Sequence, residues 1–438
     1  MKALTLTLAK LPERIGLRET LDGLLADRVL MNSLYLVAST GVMAMFGFGF
    51  WLISAHLYSA QALGLSSTLI NSTMTLSLFS LLGFDNVLVR FLAGSKRPHR
   101  MIDTSLVFTT LAAIVLAVVF LLAVPVLSPQ LAGLLQSPER SLLFVFVMIM
   151  LTINTLTDSI FISWQAAQYI LLADSGLSFI KVLAPVALVA LGAFGLFTGF
   201  TLSVTAATLI SLVALAKRYG YYFKPVVDRT TVHEVKRFSA GAYMANLAAA
   251  VPLMALPIMA TNGLGSAAAA YFNLAMTIAA TIFIVPRASA NSLFAEVSKA
   301  GVDFGRQFER SMRQTALILV PAVVAVVALG HLLLGIFGAE YANGALSALR
   351  ILAFSALPLA FNALAAVALK LHGRLRALVA IETAGVVAML VTGWPLMRLV
   401  GVNGIAWSWT AGQLLMSVAL GLELARILRR TRTALEVV

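Results

Sequence analysis

Residues 217–237 read KRYGYYFKPVVDRTTVHEVKR, the longest polar interval in an otherwise apolar sequence, and they fall at its midpoint. Six strongly hydrophobic segments precede this stretch and six follow it. The position of the interval therefore asks whether one six-helix unit has been used twice.

Composition sets the class. Only 11% of the 438 residues are charged and 60% are hydrophobic, whereas a soluble chain carries roughly 25% charged residues. This is the composition of an integral membrane protein. A net charge of +13 on a soluble domain would suggest nucleic acid, but here Lys and Arg come in short bursts between apolar runs. That is how cytoplasmic loops look under the positive-inside rule, so membrane lipids are expected partners and nucleic acid is not. Cysteine is absent, which removes disulfides and thiolate metal sites. The sequence also lacks HExxH, the GxxxxGKS or GxxxxGKT loop and GxSxG, so no metal site, catalytic residue or cofactor is expected and ATP-driven pumping by this chain alone is excluded. Energy must come from an ion gradient, whose ion the sequence does not name, from the substrate's own gradient, or from a partner.

A span needs about 20 mostly apolar residues. On that criterion spans are expected near 29–57, 63–84, 103–127, 141–163, 175–196 and 198–216, then 239–261, 267–290, 314–337, 345–369, 377–399 and 403–425. The expected fold is all-α, with about 12 transmembrane helices in two parallel six-helix bundles around a central cavity. Its parts are an amphipathic cytoplasmic N-terminus (1–28), an N-terminal bundle (29–216), a cytoplasmic linker (217–237), a C-terminal bundle (238–425) and a basic cytoplasmic tail (426–438). The lead-in has no signal-peptide core with a cleavage site and is expected to lie at the interface.

Alternate loops differ sharply in charge. One side holds 27 of the 31 Lys and Arg residues: five before the first span, four after the second, six in the linker, five after the eighth, three after the tenth and four in the tail. The other side holds Arg140, Arg350 and Arg398, and Lys181 falls inside the fifth span. This bias puts both termini and the linker in the cytoplasm. Loops on the opposite side are short, the longest around Ser128–Arg140, and leave no room for an external catalytic domain.

Six spans per half is an even number, so both halves enter the membrane in the same direction and a parallel repeat should appear at a constant offset. Asn71, Met74 and Thr75 recur as Asn273, Met276 and Thr277, an offset of 202; Gly64 has Gly265; Phe161 and Ala166 have Phe361 and Ala366. Repeat-built transporters bind between their halves, where helices are broken in corresponding places. The first span carries Gly41, Gly47 and Gly49, and the seventh carries Pro252 and Pro257. Gly47, Gly49, Pro252 and Pro257 are therefore gating candidates, with bent first helices in both halves.

Charges inside the hydrocarbon usually face a cavity or a partner. The candidates for substrate contact are Lys181, Arg287, Arg90, Asp158 and Asp85. Lys181 is either a phosphate contact or the structural partner of Asp158; Arg287, after Pro286, is a headgroup ligand or a snorkelling arginine. Asp85, Arg90 and Glu382 also read as boundary residues, and His56 and His331 as ordinary helix residues.

Several stretches resemble the polysaccharide flippases, O-antigen type included, of the multidrug/oligosaccharidyl-lipid/polysaccharide exporter superfamily. Residues 58–91, YSAQALGLSSTLINSTMTLSLFSLLGFDNVLVRF, are similar to that family's second-helix region, with Leu82, Gly83, Asn86, Val89, Arg90 and Phe91 as its closing elements. Residues 271–298, YFNLAMTIAATIFIVPRASANSLFAEVS, resemble its eighth helix; 337–362, FGAEYANGALSALRILAFSALPLAFN, its ninth-to-tenth junction; and 400–409, VGVNGIAWSW, the start of its twelfth. The resemblance implies a bacterial inner-membrane flippase, not an enzyme. It would turn over a polyprenyl-diphosphate-linked oligosaccharide by alternating access, alongside polysaccharide assembly partners. One departure is WQAAQY at 164–169, which lacks the basic residues the family often has there. The alternatives are a cation-coupled multidrug exporter of the same superfamily, disfavoured because 29–57 and 238–262 hold no acid; a lipid II flippase, which usually has two more helices; and a polysaccharide polymerase or ligase, which would need a large external loop.

Overall fold

The long apolar runs all fold as helices, because in hydrocarbon every backbone N–H and C=O must be satisfied within its own segment. The computed structural model describes residues 28–238, 240–297 and 304–436, and among these there is no strand. The amphipathic lead-in expected over 1–28 lies outside the described residues apart from Arg28. The N-terminal half comprises α1 (Arg28–Leu57), α2 (Ala60–Ser80), α3 (Phe84–Phe91), α4 (Pro98–Leu127), α5 (Pro129–Leu134), α6 (Pro138–Ser163), α7 (Ala167–Ala187) and α8 (Gly192–Tyr219). After α9 (Arg229–Phe238), the C-terminal half comprises α10 (Ala240–Leu264), α11 (Ser266–Val297), α12 (Phe304–Gly335), α13 (Ala339–Leu371), α14 (Leu375–Val400) and α15 (Val402–Glu436). Eleven described helices are long and apolar enough to cross a membrane, and the bent pair α2–α3, taken as one span, brings the number of candidates to twelve.

Each half packs by the same scheme. In the first, α1 lies on α7, α2 and α4 on α6, and α8 on α6 and α7; in the second, α10 lies on α14, α11 and α12 on α13, and α15 on α13 and α14. The halves meet where α2 packs against α10 and α11. The loops carrying most of the cations lie at one end of the bundle, here called the basic face.

Two expectations about the helices are corrected. The fifth span runs over Ala167–Ala187 rather than 175–196, and the sixth starts at Gly192 rather than 198. Hydropathy is continuous across this region, so it hides the break, which is made by Gly192 at φ +55, a left-handed conformation open to glycine. The break in the second span lies at Leu81–Gly83, where Leu82 (φ 52) and Gly83 (φ 82) turn the chain by 57°. Conversely, α1 runs unbroken through Gly47 and Gly49, and α10 through Pro252 and Pro257. Glycines keep their backbone hydrogen bonds, and a membrane helix tolerates proline when neighbouring groups re-satisfy the freed carbonyl.

The linker is strapped to the N-terminal half. Buried Asp103, at the start of α4, accepts from Tyr221 Oη (2.7 Å) and from the Lys224 N–H (3.0 Å), and Thr104 Oγ1 accepts from the Asp228 N–H (2.8 Å). Burial first, and then the Asp103 carboxylate, raise the Tyr221 phenol above its ordinary range, so it stays a donor. Asp228 accepts from the hydroxyls of Thr230 and Thr231 at the start of α9, which holds its carboxyl below the usual carboxylate range.

The seam between the halves is closest near Gly64 of α2, where a Cβ would lie 1.6 Å from the Ser266 carbonyl oxygen. Gly64→Ala is therefore expected to lower stability by about 1–3 kcal/mol through overpacking. Gly47→Ala, where nothing lies within 4 Å of the added carbon, should be neutral or mildly stabilising. Thermal melting of the two variants in detergent checks this; equal melting temperatures would remove the close approach from the account. Asp103→Ala, which strands two donors, is expected to cost about 1.5–3 kcal/mol by the same measurement, with Asp103→Asn keeping part of the loss back.

Candidate functional site

The repeat offset read from the sequence reappears as contacts. Asn71 Nδ2 donates to Asn273 Oδ1 at 3.0 Å, and these residues are 202 apart. Gly64 meets Ser266, again 202 apart. Residues that meet their own repeat equivalents lie beside a two-fold axis, so a pseudo-dyad runs between α2 and α11. Thr68 Oγ1 and Thr261 Oγ1, 3.1 Å apart, add a cross-link from α10. The Gly64 and Thr68 contacts sit near the start of α2, away from the basic face, and the Asn71 contact lies at the middle of that helix.

Below these contacts the halves part. A cavity of about 210 Å3 has walls that include Asn71, Met74 and Thr75 of α2 and Asn273, Met276 and Thr277 of α11, with Pro252 and Pro257 of α10 also lining it. Leu78 and Leu253 join it to a second space of about 320 Å3 nearer the basic face, whose polar lining is Asp85, Tyr243, Asn246 and Arg287. Arg287 is 202 residues after Asp85, so the mouth sets a cation opposite its pseudo-symmetric anion. Tyr243 Oη donates to the Phe79 carbonyl across the seam. Asn246 is exposed, as is Arg287. The kink at Leu82–Gly83 is what swings Asp85 to this position, three residues after the turn.

The other candidates lie elsewhere. Arg90, on α3, stands over the Phe91 ring (5.4 Å) and lines a separate pocket on the basic face with Lys96, Arg97, Asp228 and Glu234. Lys181 and Asp158 are inside the N-terminal half and form no ion pair. Their depths explain it. At 1.5 Å per residue, Lys181 is about 21 Å along α7 from the basic end, whereas Asp158 is about 8 Å from the end of α6. Lys181 Nζ instead lies between two rings, 4.9 Å from Phe50 and 5.8 Å from Phe200, a cation–π environment.

The residue that shares Asp158's depth is Asp174, about 10 Å along α7. The two carboxyls lie within electrostatic reach of one another. Asp174 accepts a hydrogen bond from the Ser39 hydroxyl of α1. On the same stretch of α6, Asn154 Oδ1 and Asp158 Oδ1 are buried and without a hydrogen-bond partner among the described residues, as is Ser211 Oγ of α8. Chemically, two carboxyls this close in the interior can share a proton between α6 and α7. Asp174 was missed from the sequence because the fifth span was started one residue after it. The start of α7 is set by the turn at 164–166, where Gln165 takes φ 52, a conformation that hydropathy does not signal.

No family model matches the chain, and no curated protein matches its sequence. Among solved structures, the fold is similar to an inward-facing multidrug resistance MATE family transporter of the MOP superfamily, with a TM-score of 0.70 and 13% identity over 90% of this chain and 99% of that one. It is similar to the lipid II flippase MurJ in an inward closed conformation, with a TM-score of 0.70 and 9% identity over 90% of this chain and 87% of that one. A MATE structure in a bent conformation aligns at 0.59 with 15% identity over 93% and 96%. At these identities the likeness is one of fold: the chain is a multi-pass helical membrane protein with the architecture of the MATE transporters and of MurJ.

Proposed function

We propose that this chain is an inner-membrane flippase that moves a polyprenyl-diphosphate-linked oligosaccharide by alternating access between its two halves, for surface polysaccharide assembly. The observation that carries the reading is the lining of the passage. Its deep walls offer amides and hydroxyls (Asn71, Asn273, Thr75, Thr277) with no acid, and its mouth offers Arg287. Amides and hydroxyls suit the many hydroxyls of a sugar, and a guanidinium suits phosphate oxygens. A diphosphate and sugars cannot cross hydrocarbon unaided, since each polar group stripped of water costs several kcal/mol. The deep cavity is smaller than the roughly 300 Å3 of a drug-sized pocket, so cargo would engage first at the mouth, its lipid tail staying in the bilayer. In this reading the basic face is cytoplasmic, and Gly64, Thr68 and Asn71 form the closed external gate.

A cation-coupled multidrug exporter is the second reading, favoured by the Asp158–Asp174 carboxyl pair, where cation or proton binding would bias the position of α1 through Ser39. The two readings share the passage and differ in cargo.

In proteoliposomes, Arg287→Ala is expected to slow flipping of a polyprenyl-diphosphate oligosaccharide about 10-fold or more, the worth of a charge-assisted hydrogen bond, with unchanged protein abundance and partial recovery in Arg287→Lys. Wild-type flipping in Arg287→Ala, or drug transport with no glycan flipping by the unaltered protein, would sink the flippase reading. Asp174→Asn is expected to abolish the response of transport to an imposed proton or sodium gradient while leaving gradient-free turnover. An undiminished response would take the carboxyl pair out of the coupling.

A further inference from the structure

On the outer surface of the N-terminal half, away from the passage, α7 and α8 leave an open groove of about 490 Å3. Its walls are Leu172 of α7 and Leu209, Ile210, Val213 and Ala214 of α8, with Leu172, Leu209 and Val213 all half-exposed. The end deep in the bilayer is shut by close packing: a Cβ on Gly176 would lie 2.6 Å from Ile210 Cδ1. The end at the basic face is bounded by Lys217 and Arg218, the last-turn cations of α8, and by Tyr169. Between Ile210 and Lys217 the trough is about 10 Å long.

Charge and chemistry together specify the occupant. Lys217 and Arg218 are both exposed, and neither makes an ion pair with an acid among the described residues. Trp164 stacks on Tyr219 at 4.5 Å and Tyr169 meets Tyr219 edge-on at 6.3 Å. This aromatic cluster marks the level of lipid headgroups. A helix from another protein would cover the apolar walls but leave the two adjacent cations unanswered, whereas a lipid carrying net negative charge answers both.

We propose that the groove between α7 and α8 is a binding site for one anionic phospholipid, with an acyl chain along Leu172, Leu209, Ile210 and Val213 and the phosphate at Lys217 and Arg218. The lipid fills the outer side of α7, the helix whose inner side carries Asp174 and Lys181. It also anchors the end of α8 from which the linker leaves. Zwitterionic lipids fit the same trough but lose the net attraction, so the site selects by headgroup charge.

The test is native mass spectrometry of the full chain in detergent, with added phosphatidylglycerol, phosphatidylcholine of the same acyl chains, or inorganic phosphate. Phosphatidylglycerol should be retained at least five-fold more than phosphatidylcholine, and inorganic phosphate should neither be retained nor compete. Lys217→Gln and Arg218→Gln should each weaken phosphatidylglycerol retention about five-fold, the worth of one juxtamembrane cation, and leave phosphatidylcholine unchanged. Ala214→Trp, which fills the trough, should lower retention of both lipids; if that variant does not fold, the two surface charge variants decide alone. Equal retention of the two lipids, or retention indifferent to all of these variants, would overturn the site. Displacement by inorganic phosphate would reduce it to a bare anion site and overturn the lipid. Retention that appears only after removal of residues 1–27 would assign the groove to that segment instead.

Discussion

The structure depends on one close contact, the approach of α2 to α11 at Gly64 and Ser266, which leaves no room for a side-chain carbon. Because the contact joins repeat-equivalent residues, it works like the self-complementary patch of a two-fold dimer. Few groups are needed to close such a seam: a glycine that lets two backbones touch, as small residues do between membrane helices, and two polar contacts, Asn71 with Asn273 and Thr68 with Thr261. With one end pinned, the other end of the seam diverges, and the space that results is the passage. Its symmetry is broken where function would need it. The N-terminal half breaks at Leu82–Gly83, whereas α11 continues as one helix through Pro286, and the equivalent positions Asp85 and Arg287 face one mouth with opposite charge.

The N-terminal half is also the more polar inside. Asp158, Asp174, Asn154 and Lys181 all lie within it, and α7 contributes two of the four. Placing carboxyls at one depth and the lysine about 11 Å deeper along α7 prevents mutual neutralisation. Each charge then has to be met by something else: rings for Lys181, and a hydroxyl from α1 for Asp174. In a low-dielectric interior such groups are costly.

Much of this was legible in the sequence, and the reasons are physical. Apolar length and the 27-to-3 distribution of cations gave the helices and the common face, because the bilayer imposes both. The offset of 202 at Asn71, Met74 and Thr75 signals the duplication, and in the structure the same residues line the seam. What composition could not show was where a helix breaks. Leu82 and Gly83 are as apolar as their neighbours, and the turn at Leu188–Gly192 interrupts no run of hydropathy. Reading the fifth span from 175 hid Asp174 and suggested an ion pair between Lys181 and Asp158 that their depths forbid. The glycines of the first span and the prolines of the seventh fall in helices without a break, the one broken span is the second, and both prolines line the cavity wall.

The central claim is that the passage is shut away from the basic face and open towards it. Met74 is half-exposed and lines the deep cavity just below the seam contacts, and the chain has no cysteine of its own. A Met74→Cys variant can therefore be labelled with a membrane-impermeant maleimide in vesicles of each orientation. Labelling from the basic face alone is expected; labelling from the opposite face, or equally from both, would contradict the closed seam and the account built on it.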